Sequence, residues 1–449
     1  MPLVSVRNLQ VHFKVQQGWV RAVDGVSLDV DEGETVGLVG ESGCGKTTLA
    51  YAISQLLPSN ARIVGGQVFF NVPPAHARYR DHFDRVADER IAKDLSDLEV
   101  RASQSAGGAG DGRAGRLQGD MEDRIRSLRH PLSATYREYL EPELKQLRSK
   151  VESLQARAAA GDANSRRLLG DLNARLQGAS QSGDLVDMTR LPDGRLREYD
   201  RKLNAIRWKQ ISIVFQGAMN ALNPVYTVGD QIIEAIQAHE DIRYEAAHKR
   251  VEDLYRLVGI PKDRIDNYPH EYSGGMKQRA MIAMALALDP KLVIMDEPTT
   301  ALDVITAAKI MDEILRIQKQ LRMTLLVISH DVSTVAKVAD RICVMYAGQL
   351  VEESSSSRIF NETLHPYTQG LLGAFPSVKG EKHRIEAIPG SPPSLVTPPS
   401  GCRFNPRCKY AKDICTRQEP PYFTTPDGRH RALCHFSGDF LGQGGLVSR

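Results

Sequence analysis

Val36-Gly37-Leu38-Val39 followed by Gly40-Glu41-Ser42-Gly43-Cys44-Gly45-Lys46-Thr47 is a short apolar run ending in the pattern G-x-x-x-x-G-K-[ST]. The apolar run reads as a buried strand, and the polar loop after it opens a helix. Glycines at these places let backbone N–H groups curl around phosphate oxygens at a helix N-terminus. Lys46 supplies a cation for the β and γ phosphates, and the Thr47 hydroxyl suits Mg²⁺. The stretch therefore implies binding of a nucleoside triphosphate by an α/β fold, with Gly40, Ser42, Gly43, Cys44, Gly45, Lys46, Thr47 and Thr48 around the phosphates.

Three further stretches follow in order: Tyr272-Ser273-Gly274-Gly275-Met276, then Leu292-Val293-Ile294-Met295-Asp296-Glu297, then His330 after Leu325-Leu326-Val327-Ile328-Ser329. Together with the phosphate loop they resemble the ATP-binding-cassette (ABC) ATPases, over most of the chain outside one insertion. Ser273-Gly274-Gly275 looks like that family's signature motif, with Met276 where glutamine is common. The resemblance implies a P-loop nucleotide-binding domain over residues 1–71 and 184–350, with a helical subdomain at about 217–290.

Four apolar residues deliver Asp296 and Glu297 to the carboxyl edge of a strand, where open α/β sheets place ligands. Asp296 suits Mg²⁺, and Glu297 suits the base that polarises water. Ile211-Ser212-Ile213-Val214-Phe215-Gln216 is another strand with a polar end. The resemblance makes Gln216 the Q-loop glutamine, in reach of Mg²⁺ or the attacking water, and makes Asp303 the D-loop aspartate. It makes His330 a holder of the γ-phosphate and water. Phe13 fits the place of the adenine-stacking aromatic, with Trp19 as its rival. In this family the signature serine and glycines meet nucleotide bound by the opposite subunit. The resemblance therefore implies a nucleotide-sandwich dimer with a second ABC ATPase subunit, a copy or a paralogue.

Residues 72–183 break the pattern. Pro73-Pro74 opens a charged stretch, and Ser105 to Gly112 reads as a flexible linker. Leu140, Leu144, Leu147, Val151, Leu154 and Ala158 then mark one seam of a helix. A second helix carrying Leu169, Leu172 and Leu176 could fold back on it. The expectation is an inserted helical hairpin, either a solvated rim or a docking arm for a partner.

His365-Pro366-Tyr367-Thr368 and Pro389-Gly390-Ser391-Pro392-Pro393 precede Cys402, Cys408, Cys415 and Cys434. This end closely resembles the C-terminal region of oligopeptide and dipeptide importer ATPases, and residues 351–449 are expected to form a small metal-bound domain. A reducing compartment disfavours disulfides. Four thiols in a Pro-rich stretch suggest a metal that fixes the local fold. No C-x₂-C knuckle is present, as zinc sites usually have. Irregular spacing suits a [4Fe–4S] cluster, which the resemblance also implies; zinc and unligated thiols are the alternatives.

The 449 residues, 41% of them hydrophobic, suffice for two or three domains with a real core. A net charge of +3 gives no support to nucleic-acid binding. No apolar signal core or bilayer-length run is seen, so the chain is expected to be cytosolic or peripheral to a membrane, and the resemblance implies the cytoplasmic face of the membrane, peripherally bound. The resemblance implies two transmembrane permease subunits, and through them an extracellular substrate-binding protein. The competing class is a soluble ABC ATPase of the DNA-repair or chromosome-maintenance type, suggested by the coiled-coil-like insert. Against it stand the insert's position before Gln216, its short seam, and the importer-like C-terminal end.

Overall fold

The computed structural model describes residues 2–71, 186–187, 206–217, 221–300, 302–374 and 388–441. The expected helical hairpin of residues 72–183 lies outside the described residues. The chain divides into two compact units, residues 1–7 with 67–189 and residues 8–66 with 190–449.

The chain opens with the long strands β1 (Pro2–Val15) and β2 (Gly18–Asp31), then β3 (Thr35–Val39), helix α1 (Lys46–Ile53) and β4 (Ala61–Phe70). The end of β4 pairs antiparallel with β5 (Val186–Asp187), Phe69 opposite Asp187 and Phe70 opposite Val186. After β6 (Ile211–Val214) come three helices, α2 (Val228–Gln237), α3 (Tyr244–Leu257) and α4 (Gly274–Leu286). Thr227 caps α2 by accepting a hydrogen bond from the Asp230 amide at 3.2 Å. Ile232, Ile233 and Ile236 of α2 join Ala247, Val251, Leu254 and Tyr255 of α3 in one core, the i, i+3, i+4 stripe of packed helices.

β7 (Leu292–Asp296), α5 (Val304–Leu321), β8 (Thr324–Ser329), α6 (Val332–Ala336), β9 (Arg341–Tyr346) and β10 (Gln349–Ser355) complete the nucleotide-binding part. Beyond them lie α7 (Ser356–Asn361), α8 (Pro366–Gly373), α9 (Asp413–Arg417), β11 (Tyr422–Thr424), β12 (Arg431–Leu433) and α10 (Ser437–Phe440). The main sheet runs β11-β12-β10-β9-β3-β8-β7-β6. β9, β3, β8, β7 and β6 are mutually parallel. Every residue of β3, β7 and β8 is buried, as expected for strands covered on both faces.

The C-terminal residues differ from the small domain expected from 351 onward. β10 crosses that boundary, and β12 pairs antiparallel with it, Glu352 opposite Ala432 and Glu353 opposite Arg431. β11 then pairs with β12, so residues 422–433 extend the main sheet. The tie is polar as well as strand-paired. Glu352 is fully buried and accepts hydrogen bonds from the Leu364 amide at 2.6 Å and the His365 amide at 3.1 Å, and it meets His430 Nε2 at 2.8 Å. A carboxylate out of water needs all of these partners. Glu352→Ala should therefore lower unfolding free energy by roughly 3–5 kcal/mol in urea titration, because it strands two buried amides and an imidazole.

Candidate nucleotide site and cysteine pocket

Parallel strands bring their carboxyl ends to one edge, and four of them carry the polar groups read from the sequence. In register, Val39 of β3 lies beside Ser329 of β8, Ile328 of β8 beside Asp296 of β7, and Met295 of β7 beside Val214 of β6. The loop after β3, the pair Asp296 and Glu297, His330 and Gln216 therefore share that edge.

The phosphate loop is held in a shape that only glycine tolerates at two places. Gly45 has φ 105°, and a Cβ there would lie 2.1 Å from the Ala22 carbonyl oxygen. Gly40 has φ 152°, with the Met345 carbonyl oxygen 2.2 Å from such a Cβ. Lys46 is buried, and its Nζ donates to the Gly40 and Glu41 carbonyls at 2.8 and 2.9 Å. Ser42 and Gly43 are exposed at the tip, Cys44 is buried beneath it, and Thr48 is half-buried in the first turn of α1.

Thr47 Oγ1 donates to Asp296 Oδ1 at 3.2 Å. Asp296 Oδ2 is buried with no hydrogen-bond partner among the described residues. An orphaned carboxylate oxygen beside a threonine hydroxyl is a fitting donor set for Mg²⁺, a hard cation that takes oxygen ligands. Burial raises the Asp296 carboxyl above its ordinary pKa, against the Thr47 hydrogen bond that lowers it.

Glu297 sits at φ 48°, with its amide donating to the Ile328 carbonyl at 2.9 Å. Its Oε2 accepts from Gln216 Nε2 at 3.0 Å and from Thr300 Oγ1 at 2.9 Å, and His330 Nδ1 meets Oε1 at 3.2 Å. Burial works to raise the Glu297 carboxyl. The hydrogen bonds from Thr300 and His330 outweigh it, together with the charges of His330 and Lys46, and the pKa falls below the ordinary value. Glu297 is therefore ionised near neutrality, as an acceptor of a proton from water must be.

Other residues read from the sequence lie apart from this edge group. Ser273 caps α4 by accepting from the Met276 amide at 3.3 Å, with Gly274 and Gly275 in the first turn. Gly275 is close-packed, a Cβ there meeting Thr306 Cγ2 at 3.0 Å. Asp303 caps α5 through the Ile305 and Thr306 amides at 3.1 and 2.9 Å. Phe13 is half-buried near the end of β1, and Trp19 is exposed at the start of β2. The two aromatics flank the same two-residue turn.

Cys402, Cys408, Cys415 and Cys434 line one cavity, with Phe404, Tyr410, Phe436 and Phe440 among its walls. Burial pushes the Cys402 thiol up to about 12 and the Cys434 thiol up to about 11, and it also raises Cys408. As they stand, no three His, Cys, Asp or Glu side chains among the described residues are arranged to hold one metal ion. His435 also borders the cavity, but its Nε2 faces the Gln418 carbonyl at 3.1 Å.

The cavity is tied to the phosphate loop through an arginine beside one of its cysteines. Arg407, next to Cys408, grips Glu41 of the loop with both terminal nitrogens, at 2.7 and 2.9 Å. Tyr367 Oη accepts the Glu41 amide at 2.9 Å. Arg403, next to Cys402, pairs with Asp24 and donates to the Ala347 carbonyl at 2.5 Å. A 366-residue separation hides the Arg407 contact from any local sequence pattern.

A buried lysine in a glycine loop, an oxygen pair for a metal and an oriented carboxylate define a P-loop nucleotide hydrolase. Comparison with known proteins names the kind. The ABC transporter family matches residues 23–168 and 176–300, and "Oligopeptide/dipeptide transporter, C-terminal region" matches 351–415. The dipeptide transport ATP-binding protein DppD of Haemophilus influenzae is 34% identical over 437 residues, covering 97% of this chain and 96% of that protein. DppD of Escherichia coli is 32% identical over 445 residues, 99% of each chain. The oligopeptide transport ATP-binding protein OppD of Bacillus subtilis is 33% identical over 428 residues, 95% of this chain and 86% of that one. The chain belongs to the ABC transporter family, as an ATP-hydrolysing subunit. Among the described residues no helix is long and apolar enough to cross a membrane.

Because the Asp296 pKa is raised, protons would compete with a Mg²⁺ held by its carboxylate as pH falls. Mg²⁺-dependent thermal stabilisation by ATP should be weaker in an acidic buffer than in a neutral one. Asp296→Asn, run in the same buffers so that titration of the nucleotide cancels, should show little Mg²⁺ dependence at either pH.

Proposed function

We propose that this chain is the ATPase subunit of an importer for dipeptides or oligopeptides, coupling ATP binding and hydrolysis to opening of two membrane-spanning permease subunits. The peptide assignment draws support from the DppD and OppD relatives, which match nearly the whole chain, and from the match of residues 351–415. An extracellular binding protein would deliver the solute. The chain would sit on the cytoplasmic face of the membrane.

One observation carries the catalytic reading: Gln216, Thr300 and His330 converge on Glu297, beside the Thr47 and Asp296 pair. Glu297 accepts the proton of the attacking water, and His330 and Gln216 fix its carboxylate. Lys46 leaves its loop carbonyls to meet the β and γ phosphates. Thr47 and Asp296 would hold Mg²⁺, with Gln216 as a further candidate ligand, and the ion would supply charge neutralisation on the phosphates. Phe13 stacks on adenine. Ser273, Gly274 and Gly275 serve nucleotide on a second ABC ATPase subunit, and the exposed Asp303, Val304 and Ile305 suit the facing surface. Residues 72–183 form an insertion between the two parts of the nucleotide-binding domain.

The four cysteines are assigned to a [4Fe–4S] cluster, with zinc as the alternative. Their lining of one common cavity supports a shared guest, while the absence among the described residues of three ligands gathered on one ion favours neither the cluster nor zinc. Cysteine thiolates would supply all four ligands and so tie residues 402 and 434 together.

Glu297→Gln should leave ATP binding intact and slow hydrolysis in the assembled complex by roughly 10²–10⁴-fold; a near wild-type rate would overturn the assignment. Anaerobically purified protein should carry about four iron and about four acid-labile sulfide atoms per chain. Stoichiometric zinc without iron would replace the cluster assignment.

A further inference from the structure

The most unusual charge in the phosphate loop is Glu41. A carboxylate beside a triphosphate is electrostatically adverse, since like charges within a few ångströms repel strongly where water is excluded. Its backbone carbonyl already accepts from Lys46 Nζ, the cation meant for the phosphates. The Glu41 side chain, however, is turned to Arg407. Both guanidinium ends engage both carboxylate oxygens in a fork, the geometry in which arginine neutralises a carboxylate most completely.

Arg407 is itself held in place. Its side chain is only 5% exposed, its Nε donates to the Pro389 carbonyl at 2.8 Å, and its guanidinium lies over the Tyr346 ring, 5.7 Å from the centroid. Tyr346, Tyr367 and Phe404 pack ring against ring beneath it. Tyr367 fixes the other end of Glu41 through its amide. The loop residue is thus gripped by side chain and backbone from a segment more than 300 residues away.

We propose that Arg407 is a positioning residue for ATP binding: it draws off and neutralises the Glu41 carboxylate, so that the phosphate loop presents Lys46 to the triphosphate unopposed. Without Arg407, Glu41 carries a free negative charge in the loop, where it repels phosphate and competes for Lys46. The damage comes from Glu41 and not from any lost contact between Arg407 and nucleotide. It is therefore reversible by removing that charge.

The test is a four-member cycle on the full chain, titrated with ATP and Mg²⁺: wild type, Arg407→Met, Glu41→Gln, and the double variant. Methionine keeps an aliphatic stem against Tyr346. Arg407→Met should weaken ATP binding roughly 10-fold or more, and Glu41→Gln alone should stay within about 2-fold of wild type or bind tighter. The double variant should recover most of the loss. In the assembled complex, the loss in Arg407→Met should fall on KM for ATP more than on kcat. A double variant as weak as Arg407→Met would overturn the proposal, since it would make Arg407 a merely structural brace. Should Arg407→Met fail to fold, Glu41→Gln still decides, because a loss of ATP affinity beyond about 10-fold in that variant would show that the carboxylate helps binding.

Discussion

Everything at the nucleotide site depends on the parallel register of β6, β7, β8 and β3. Parallel pairing sends four chain segments past the same edge, and strands whose side chains are close-packed on both faces leave no freedom to slide. That register sets Thr47 against Asp296, and both Gln216 and His330 against Glu297. The hydrogen bonds then decide the electrostatics. Two adjacent carboxyls, Asp296 and Glu297, are driven in opposite directions, one raised by burial and the other held low by donors. Separated proton affinities are what the proposed division of labour, a metal on one carboxylate and a proton transfer on the other, would need.

The C-terminal residues matter to that edge more than their distance in sequence implies. β12 joins the main sheet through β10, with the buried Glu352 and His430 as its polar tie. The short stretch from Cys402 to Cys408 has a cysteine at each end and, next to each, an arginine turned inward. Arg403 reaches Asp24 and the Ala347 carbonyl, and Arg407 reaches Glu41. The wall of the cysteine cavity and the brace of the phosphate loop are one piece of chain.

Much of the nucleotide site was legible because each of its groups stands at the end of a continuous apolar run. Val36 to Val39 announces the loop, Leu292 to Met295 the acidic pair, and Leu325 to Ser329 the histidine. Local pattern and local structure coincide there. The four cysteines were also legible as a group, from their clustering near the C-terminal end, and they line one cavity. What the sequence hid is pairwise and distant. Nothing near Glu41 points to Arg407, nothing near Glu352 points to His430, and Thr300 as a partner of Glu297 has no signal beyond being three residues away. β11 and β12, three residues each, are too short for periodicity to register, so the C-terminal end read as a separate body when its strands extend the sheet.

The central claim is that four strand ends act on one bound nucleotide. Hydrogen–deuterium exchange of the full chain with and without ATP and Mg²⁺ tests it directly. The account predicts slowed exchange in the loop at 40–48 together with the segments around Gln216, Asp296 to Thr300 and Ser329 to His330. Protection of the loop alone, with the segment around Glu297 unchanged, would contradict it.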